Sequence, residues 1–493
     1  MALSPGSVKR VGSRGGQYHA LSAEEVCRIH RASLRVLEET GIRVRHSAAK
    51  DLYRKANARV QDDRVTFPEK TIEAALELVP HQVLLAGRDP AQDLLLEGTR
   101  VYAGTGGSPA AVVDLGASRP RPATVRDIRD LARLADALEW CDFVVAPLTP
   151  TDVPDTDVPV NRFYACLSQS SKHVMGGLGS LEGARQVREM GQLIAGGTDA
   201  LRERPIVSAI ACWMVSPLQL DPVVTDILLD WCSYGLPVAL SSAPMAGSTS
   251  PATLAGTLVQ LHAEQLSGIV LTQAVRPGTP VLAGYIPGVA DMRTAAYVGG
   301  AVEFGMMQAA AAQLARYCGV PIYASGGMSD SKLPDFQAGC EKMATFLLAA
   351  MGGCNYIHHA IGMVANMSAT SLEMAVVDDE IIAMGMRVLR GMSADDESMA
   401  TEAIDRVGPG GNFLMDPHTL RFLRSEVFVP RLADRQGWLL WEEGGQETTR
   451  DRAKARAEYL LRSHTPLPLP PEVVLEIHGR FPAVALSPTG DGR

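Results

Sequence analysis

Several absences narrow what this 493-residue chain can be. No uncharged apolar run approaches the ~18 residues a membrane-spanning helix needs. The first twenty residues, MALSPGSVKRVGSRGGQYHA, lack the apolar stretch of a secretory signal. A cytoplasmic protein without a membrane partner is expected. There is no basic excess: 46 Lys and Arg stand against 55 Asp and Glu, a net charge of −9. That balance argues against nucleic acid and leaves a cationic substrate open. The eight cysteines form no CxxC or CxH pair, so reduced core thiols and no bound metal are expected. No GxGxxG follows the first strand, and neither GxxxxGK[ST] nor GxSxG occurs. Aromatic residues are only 5% of the chain, so core packing competes with function for each of them.

What is present is a rhythm. Apolar runs rich in Val, Ile and Ala recur as VYAGTGG, FVVAPL, HVMGGL, IVSAIACWM, PVALSSAP, PVLAGYI, PIYASGG and NYIHHAIG. Between them lie helical periodicities with start signals. Thr124 has Asp127 three residues on, and Asp221-Pro222 and Ser250-Pro251 each place a cap before proline. Continuous apolar strands alternating with helices imply parallel strands buried on both faces. Eight units at roughly 30- to 40-residue spacing predict a (β/α)8 TIM barrel over residues 101–392. Residues 1–100 read as a small α/β cap, whose helix begins with the Ser22/Glu25 capping box and ends before Gly41. Residues 393–493 read as a helical extension packed on the barrel or on a neighbouring subunit. Alanine-rich helices favour close packing, so a homo-oligomer is expected.

Barrel chemistry is built at the C-terminal ends of the strands. Those ends supply Tyr102, Thr105 and Gly106, Thr149, Gly176 and Gly177, Trp213, Ser242 and Met245, and Tyr285. They also supply the loop GGMSDSK, from Gly326 and Gly327 to Lys332, and the pair His358-His359. Ser329 and Asp330 are good N-caps for a helix near Pro334, and Asp330 can equally attract a cation at the mouth. Lys332 could form a Schiff base if desolvated, or sit in a salt bridge. Glu303 opens an apolar helix as a cap or as negative charge at the mouth. Adjacent strand residues point to opposite faces, so one of His358 and His359 is expected to face the interior. One histidine on a face is a poor metal site.

Several ordered stretches share a resemblance: GGMSDSKLPDFQAGCEK, NYIHHAIGM, VVDDEIIAMGMRVLRGM and VGPGGNFLMDPHTLRFLRSE, with IHRASLRVLEETGIRV and GVADMRTAAYVGGAVEFG. Together they resemble the trimethylamine methyltransferase family over nearly the whole chain. The resemblance implies a barrel enzyme that moves a methyl group from an amine to a corrinoid (cobalamin) carried by a separate, cognate corrinoid protein. DPHTLR at 416–421 begins like the corrinoid-holding DxHxxG, but Arg421 replaces the glycine, so the corrinoid is expected on the partner.

The trimethylamine enzymes carry pyrrolysine inside the barrel, and this chain has only standard residues. It is similar in that respect to relatives acting on quaternary amines such as glycine betaine. A quaternary nitrogen leaves as a neutral tertiary amine without a proton, and Co(I) is itself the nucleophile. Such a site needs an aromatic face or a carboxylate for the ammonium and a donor for a substrate carboxylate. Tyr102, Trp213 and Tyr285 are the aromatic candidates. Gly326 and Gly327 let the backbone lie close to a ligand. Glu303 and Asp330 are the acidic candidates, and His358 or His359 the donor. Two other readings remain open: a lyase or aldolase using Lys332, and a non-catalytic amine-binding barrel.

Overall fold

The computed structural model describes residues 12–485. Eight parallel strands form its centre: β1 (Arg100–Thr105), β2 (Phe143–Val145), β3 (His173–Gly177), β4 (Val207–Ala211), β5 (Val238–Ser242), β6 (Val281–Tyr285), β7 (Ile322–Ser325) and β8 (Tyr356–Ile361). Each pairs with the next, and β8 closes on β1. A helix follows every strand: α1 (Val125–Ala137), α2 (Val158–Gln169), α3 (Leu181–Ala195), α4 (Pro222–Ser233), α5 (Leu254–Val275), α6 (Val302–Tyr317), α7 (Phe336–Gly352) and α8 (Leu372–Arg390). All eight apolar runs of the sequence are barrel strands, because a strand covered on both faces has no polar side to alternate with.

The start signals work as sequence chemistry predicts at Thr124, which forms a reciprocal capping box with Asp127, and at Asp221, which accepts from the Val224 N–H ahead of Pro222. Two differ. Helix α5 begins three residues after Pro251, capped by Thr253 rather than Ser250. Helix α7 begins at Phe336, capped by Asp335, which leaves Ser329 and Asp330 free for other bonds. In both cases a nearer oxygen takes the orphan N–H groups.

Alternation divides the strand residues into two cores. Tyr102, Phe143, Met175, Leu282, Tyr323 and Tyr356 point inward. Val101, Val144, Val238, Val281 and Ile357 pack outward against the helices. An antiparallel hairpin, Val83–Leu85 with Leu94–Leu96, adds its buried leucines to the inner cluster and plugs the N-terminal end of the barrel. The N-terminal helix Ala23–Arg35 lies outside α5, where Ser33 Oγ donates to the Val259 carbonyl at 2.8 Å. In the C-terminal extension, the helix Thr449–Ser463 packs on α8, tied by Arg450 to the buried Glu373 at 2.7 Å. Among the described residues no helix is long and apolar enough to cross a membrane.

Candidate active site

The inner core is a column of rings. Phe143 stacks on Tyr356 with centroids 3.5 Å apart, Tyr356 on Tyr323 at 5.7 Å, and Tyr323 on His358 at 4.1 Å. His359 then lies 3.7 Å from His358. Two consecutive strand residues should diverge, and these do not. Between Ile357 and Ile361 the register against β1 slips, four steps on β8 matching two on β1. His359 absorbs the bulge with φ +66°. The expectation that a single imidazole of the pair faces the interior is therefore corrected: both reach the top of the column. Gly106 makes the room, since a Cβ there would lie 2.2 Å from the His359 nitrogen.

Hydrogen bonds fix the chemistry of the pair. His358 Nδ1 lies 2.6 Å from the Ala324 carbonyl and must carry the proton, so Nε2 of the neutral ring holds the lone pair. His359 Nδ1 lies 2.8 Å from Ser325 Oγ. Burial pushes His358 down to about 3, and burial plus its neighbours His358 and Lys342 pushes His359 well below the ordinary value. Both rings are neutral near pH 7. His358 cannot donate to a substrate carboxylate from Nε2; His359 can, when Ser325 donates to its Nδ1.

Beside the column, the inward side chains at the upper ends of β3 to β5 stop filling space. A Cβ on Gly177 would touch nothing within 4 Å. Ile210 is half-buried, while Cys212 and Ala243 just beyond β4 and β5 are exposed. Cys212 is open to water, yet desolvation raises its thiol above the ordinary value, opposed by a bond to Ser241. A side chain lining a deep recess meets both conditions. Tyr323 senses the same thiol. The recess thus has Tyr323 and His358 on one side and Cys212 and Ser241 on the other. A thiol held protonated is no ready nucleophile.

Three loops close one flank. Asp330 accepts from the Gly299 and Gly300 N–H groups at 3.3 and 3.2 Å, while Glu341 accepts from Ser329 Oγ and the Asp330 N–H at 2.7 and 2.8 Å. Desolvation, with Glu341 nearby, raises the Asp330 carboxyl. Asn366 and Ala365, after β8, donate backbone N–H groups to the Ser329 and Ser331 carbonyls. Beneath them Lys342 is fully buried. It donates to the Gly327 carbonyl at 2.8 Å and to Asp378 at 3.0 Å, and Asp378 accepts the Gly362 N–H at 2.7 Å. Burial drives Asp378 up to about 7 against the pull of Lys342.

Residues 3–481 match the family model for trimethylamine methyltransferase. The chain belongs to that family. A glycine betaine methyltransferase from Desulfitobacterium hafniense (strain Y51) is 33% identical over 458 residues, 93% of this chain and 95% of that protein. A trimethylamine methyltransferase, MttB, from Desulfitobacterium hafniense (strain DSM 10664 / DCB-2) is 34% identical, covering 92% and 91%. MttB from Methanosarcina barkeri (strain Fusaro / DSM 804) is 32% identical, covering 94% of both chains.

In this methyltransferase the structure brings His358, His359, Gly326 and Gly327 together, and sets Asp330 in the adjoining loops. Gly326 donates to the His358 carbonyl at 3.2 Å, and Gly327, with φ +66°, lies against Ala360. It does not bring the other candidates there. Tyr102 sits at the plugged end, its hydroxyl 3.4 Å from the Gly12 N–H and the Leu95 carbonyl. Trp213 and Tyr285 point outward, Trp213 against Gly268 of α5 and Tyr285 to His262 at 2.6 Å. Glu303 faces solvent in the first turn of α6. Lys332 is exposed and donates to the Asp330 carbonyl, so it has no desolvated pocket for a Schiff base. Sequence reasoning missed Tyr323, Cys212 and Ser241. Counting alternate residues from the strand centres finds them, and the same count rejects Trp213 and Tyr285.

Proposed function

We propose that this methyltransferase moves a methyl group from a quaternary amine of the betaine class to a Co(I) corrinoid on a separate protein. The observation that carries this reading is the water-accessible recess marked by Cys212 and Gly177 beside the ring column, which offers the edges of Tyr323 and of a neutral imidazole but no activated nucleophile. A quaternary cation fits that environment: a wall of uncharged rings, little competing water and no need of a proton for the leaving group. The family membership and the glycine betaine relative support the same reading.

In the transfer, the cobalt electron pair forms the new carbon–cobalt bond, the carbon–nitrogen pair stays on nitrogen, and a neutral tertiary amine departs. The chain's part is to hold the cation with one methyl aimed outward and to keep water away. The residues fit a corrinoid presented from outside rather than held within. His418 lies in the C-terminal extension, bonded to the Glu397 carbonyl, and Arg421 stands where the binding motif needs glycine. Met292, Val302 and Phe336, in the loop after β6 and at the starts of α6 and α7, leave exposed apolar surface on the side of the barrel where the strands end. Trp438, Leu439 and Leu440 are exposed on the C-terminal extension, and a homo-oligomer covering them is part of this proposal.

Arg162 favours a substrate that also carries a carboxylate. It is buried in the first turns of α2 and donates to Ser108 Oγ and to the Ala146 carbonyl, at 2.5 and 2.8 Å. Both partners lie just past the ends of β1 and β2. Its Nε is buried without a partner, and among the described residues no carboxylate pairs with it. Burial lowers it to about 10. A zwitterionic amine supplies the missing anion.

The test is a panel of quaternary and tertiary amines with a reduced corrinoid protein, followed by methyl-Co(III) absorbance. Methyl transfer from a carboxylated quaternary amine is expected. Transfer from trimethylamine alone, or from no amine, overturns the proposal.

A further inference from the structure

Away from the barrel mouth, three side chains distant in sequence meet at one point. His30 comes from the N-terminal helix, His262 from the middle of α5, and Cys318 from the residue that ends α6. His30 Nδ1 lies 2.8 Å from His262 Nε2, and Cys318 Sγ lies 3.9 Å from each nitrogen. His262 is fully buried; the other two are half-buried. This cluster plays no part in the proposed transfer.

We propose that His30, His262 and Cys318 form a structural site for a divalent transition metal, zinc by the chemistry of its ligands. Two imidazoles and a thiolate are the donor set such an ion takes. Bond lengths of ~2.0–2.1 Å to nitrogen and ~2.3 Å to sulfur, at tetrahedral angles, place the nitrogens ~3.3 Å apart and each ~3.6 Å from sulfur. The triangle in the structure is narrower on one edge by about half an ångström and wider on the other two by about 0.3 Å. Small ring and thiol rotations reach the required shape, because His30 sits on a partly open helix face.

The surroundings suit the ion. Tyr285 OH lies 2.6 Å from His262 Nδ1, so this ring can donate from Nδ1 to the phenol oxygen and present Nε2 to a metal. An oriented outer partner of this kind is usual for a ligating histidine. Burial lowers both imidazoles, so they are neutral and ready to ligate at pH 7. The same burial pushes the Cys318 thiol up to about 12, so in the absence of metal it stays protonated. Binding therefore releases one proton, from sulfur, while the imidazoles keep one proton each. The fourth position falls to water. The result is a clasp between the N-terminal helix and the barrel helices α5 and α6. It runs against the expectation from sequence, which looks for ligands at short spacing and finds none.

The test uses the full chain without amine or corrinoid. After chelation, it is dialysed against micromolar Zn(II) and its metal content measured, with Co(II) as a spectroscopic substitute. About one zinc per chain is expected, with a higher Tm and, for Co(II), a thiolate-to-metal charge-transfer band. Cys318→Ser and His30→Ala should each weaken zinc binding at least tenfold and remove the Tm gain, and Cys318→Ser should remove the band. Cys340→Ser, at an exposed thiol, should change none of these. Cys318→Ala serves as a second variant, and circular dichroism establishes that each variant is folded. No retained zinc in the parent chain, or equal retention in folded Cys318 and His30 variants, overturns the proposal.

Discussion

A Cβ on Gly106 would lie 2.2 Å from the backbone nitrogen of His359, a contact between β1 and the bulge of β8. The pair of imidazoles at the head of the ring column exists because that glycine lets the bulge approach. Gly106→Ala should push the bulge away and separate the rings. Overpacking of this kind costs about 1–3 kcal/mol, so a several-degree loss of Tm with a larger loss of turnover is expected. A crystal structure of the variant with the two rings still adjacent would sink this account.

Gly177 gives the opposite case. Its Cβ direction meets nothing within 4 Å, so Gly177→Leu should fold normally while filling the recess. At least a tenfold fall in kcat/KM for amine, at unchanged Tm, is the expected split. Trp213→Phe should leave turnover near that of the parent chain, because its indole faces α5 rather than the recess.

The Lys342–Asp378 pair ties the loops after β7 and β8 from below. Removing one partner leaves a buried charge alone, a loss of about 3–5 kcal/mol. Asp378→Leu, which strands the Lys342 ammonium, should therefore be severely destabilised in urea unfolding. Lys342→Met with Asp378→Leu should recover much of that loss, since no buried charge remains.

Acid should destabilise the fold through its buried histidines. His173 is lowered to about 4, and His262 and His358 to about 3, each mainly by burial. Their unfolded forms bind protons near pH 6.5, so their stability is fully present above that value and lost as pH falls toward 3. The slope is about 1.4 kcal/mol per pH unit for each. Asp378, raised to about 7, and Asp379, raised to about 6, act with the opposite sign and offset part of it. Denaturant midpoints from pH 7 to pH 4 should fall, and more shallowly in His358→Gln. A midpoint that rises across that range would contradict this accounting.

Arg162 separates two substrate classes. Arg162→Met should raise KM for a carboxylated quaternary amine at least tenfold while leaving KM for a quaternary amine without a carboxylate little changed. An equal rise for both would assign Arg162 a structural role.

The barrel was legible because its signal is local: eight apolar runs, each followed by a helix and six of those helices capped by a side chain, leave little choice of architecture. Family membership was legible for a related reason, since whole ordered stretches carry it. The recess was legible only as a region. Which strand residues face inward depends on register: one step of error chose Trp213 over Cys212, and the outward Tyr285 of β6 stood in for the inward Tyr323 of β7. The loop GGMSDSK was visible as polar chemistry, but its work is to bind neighbouring loops, with Asp330 on Gly299 and Gly300 and Lys342 beneath. Two features lay beyond any pattern in the chain. The adjacency of His358 and His359 needs the bulge against β1, and the meeting of His30, His262 and Cys318 needs three elements packed together. Sequence sets periodicity and capping through near neighbours; contacts across 56 to 288 residues are set by how the closed barrel stacks its helices.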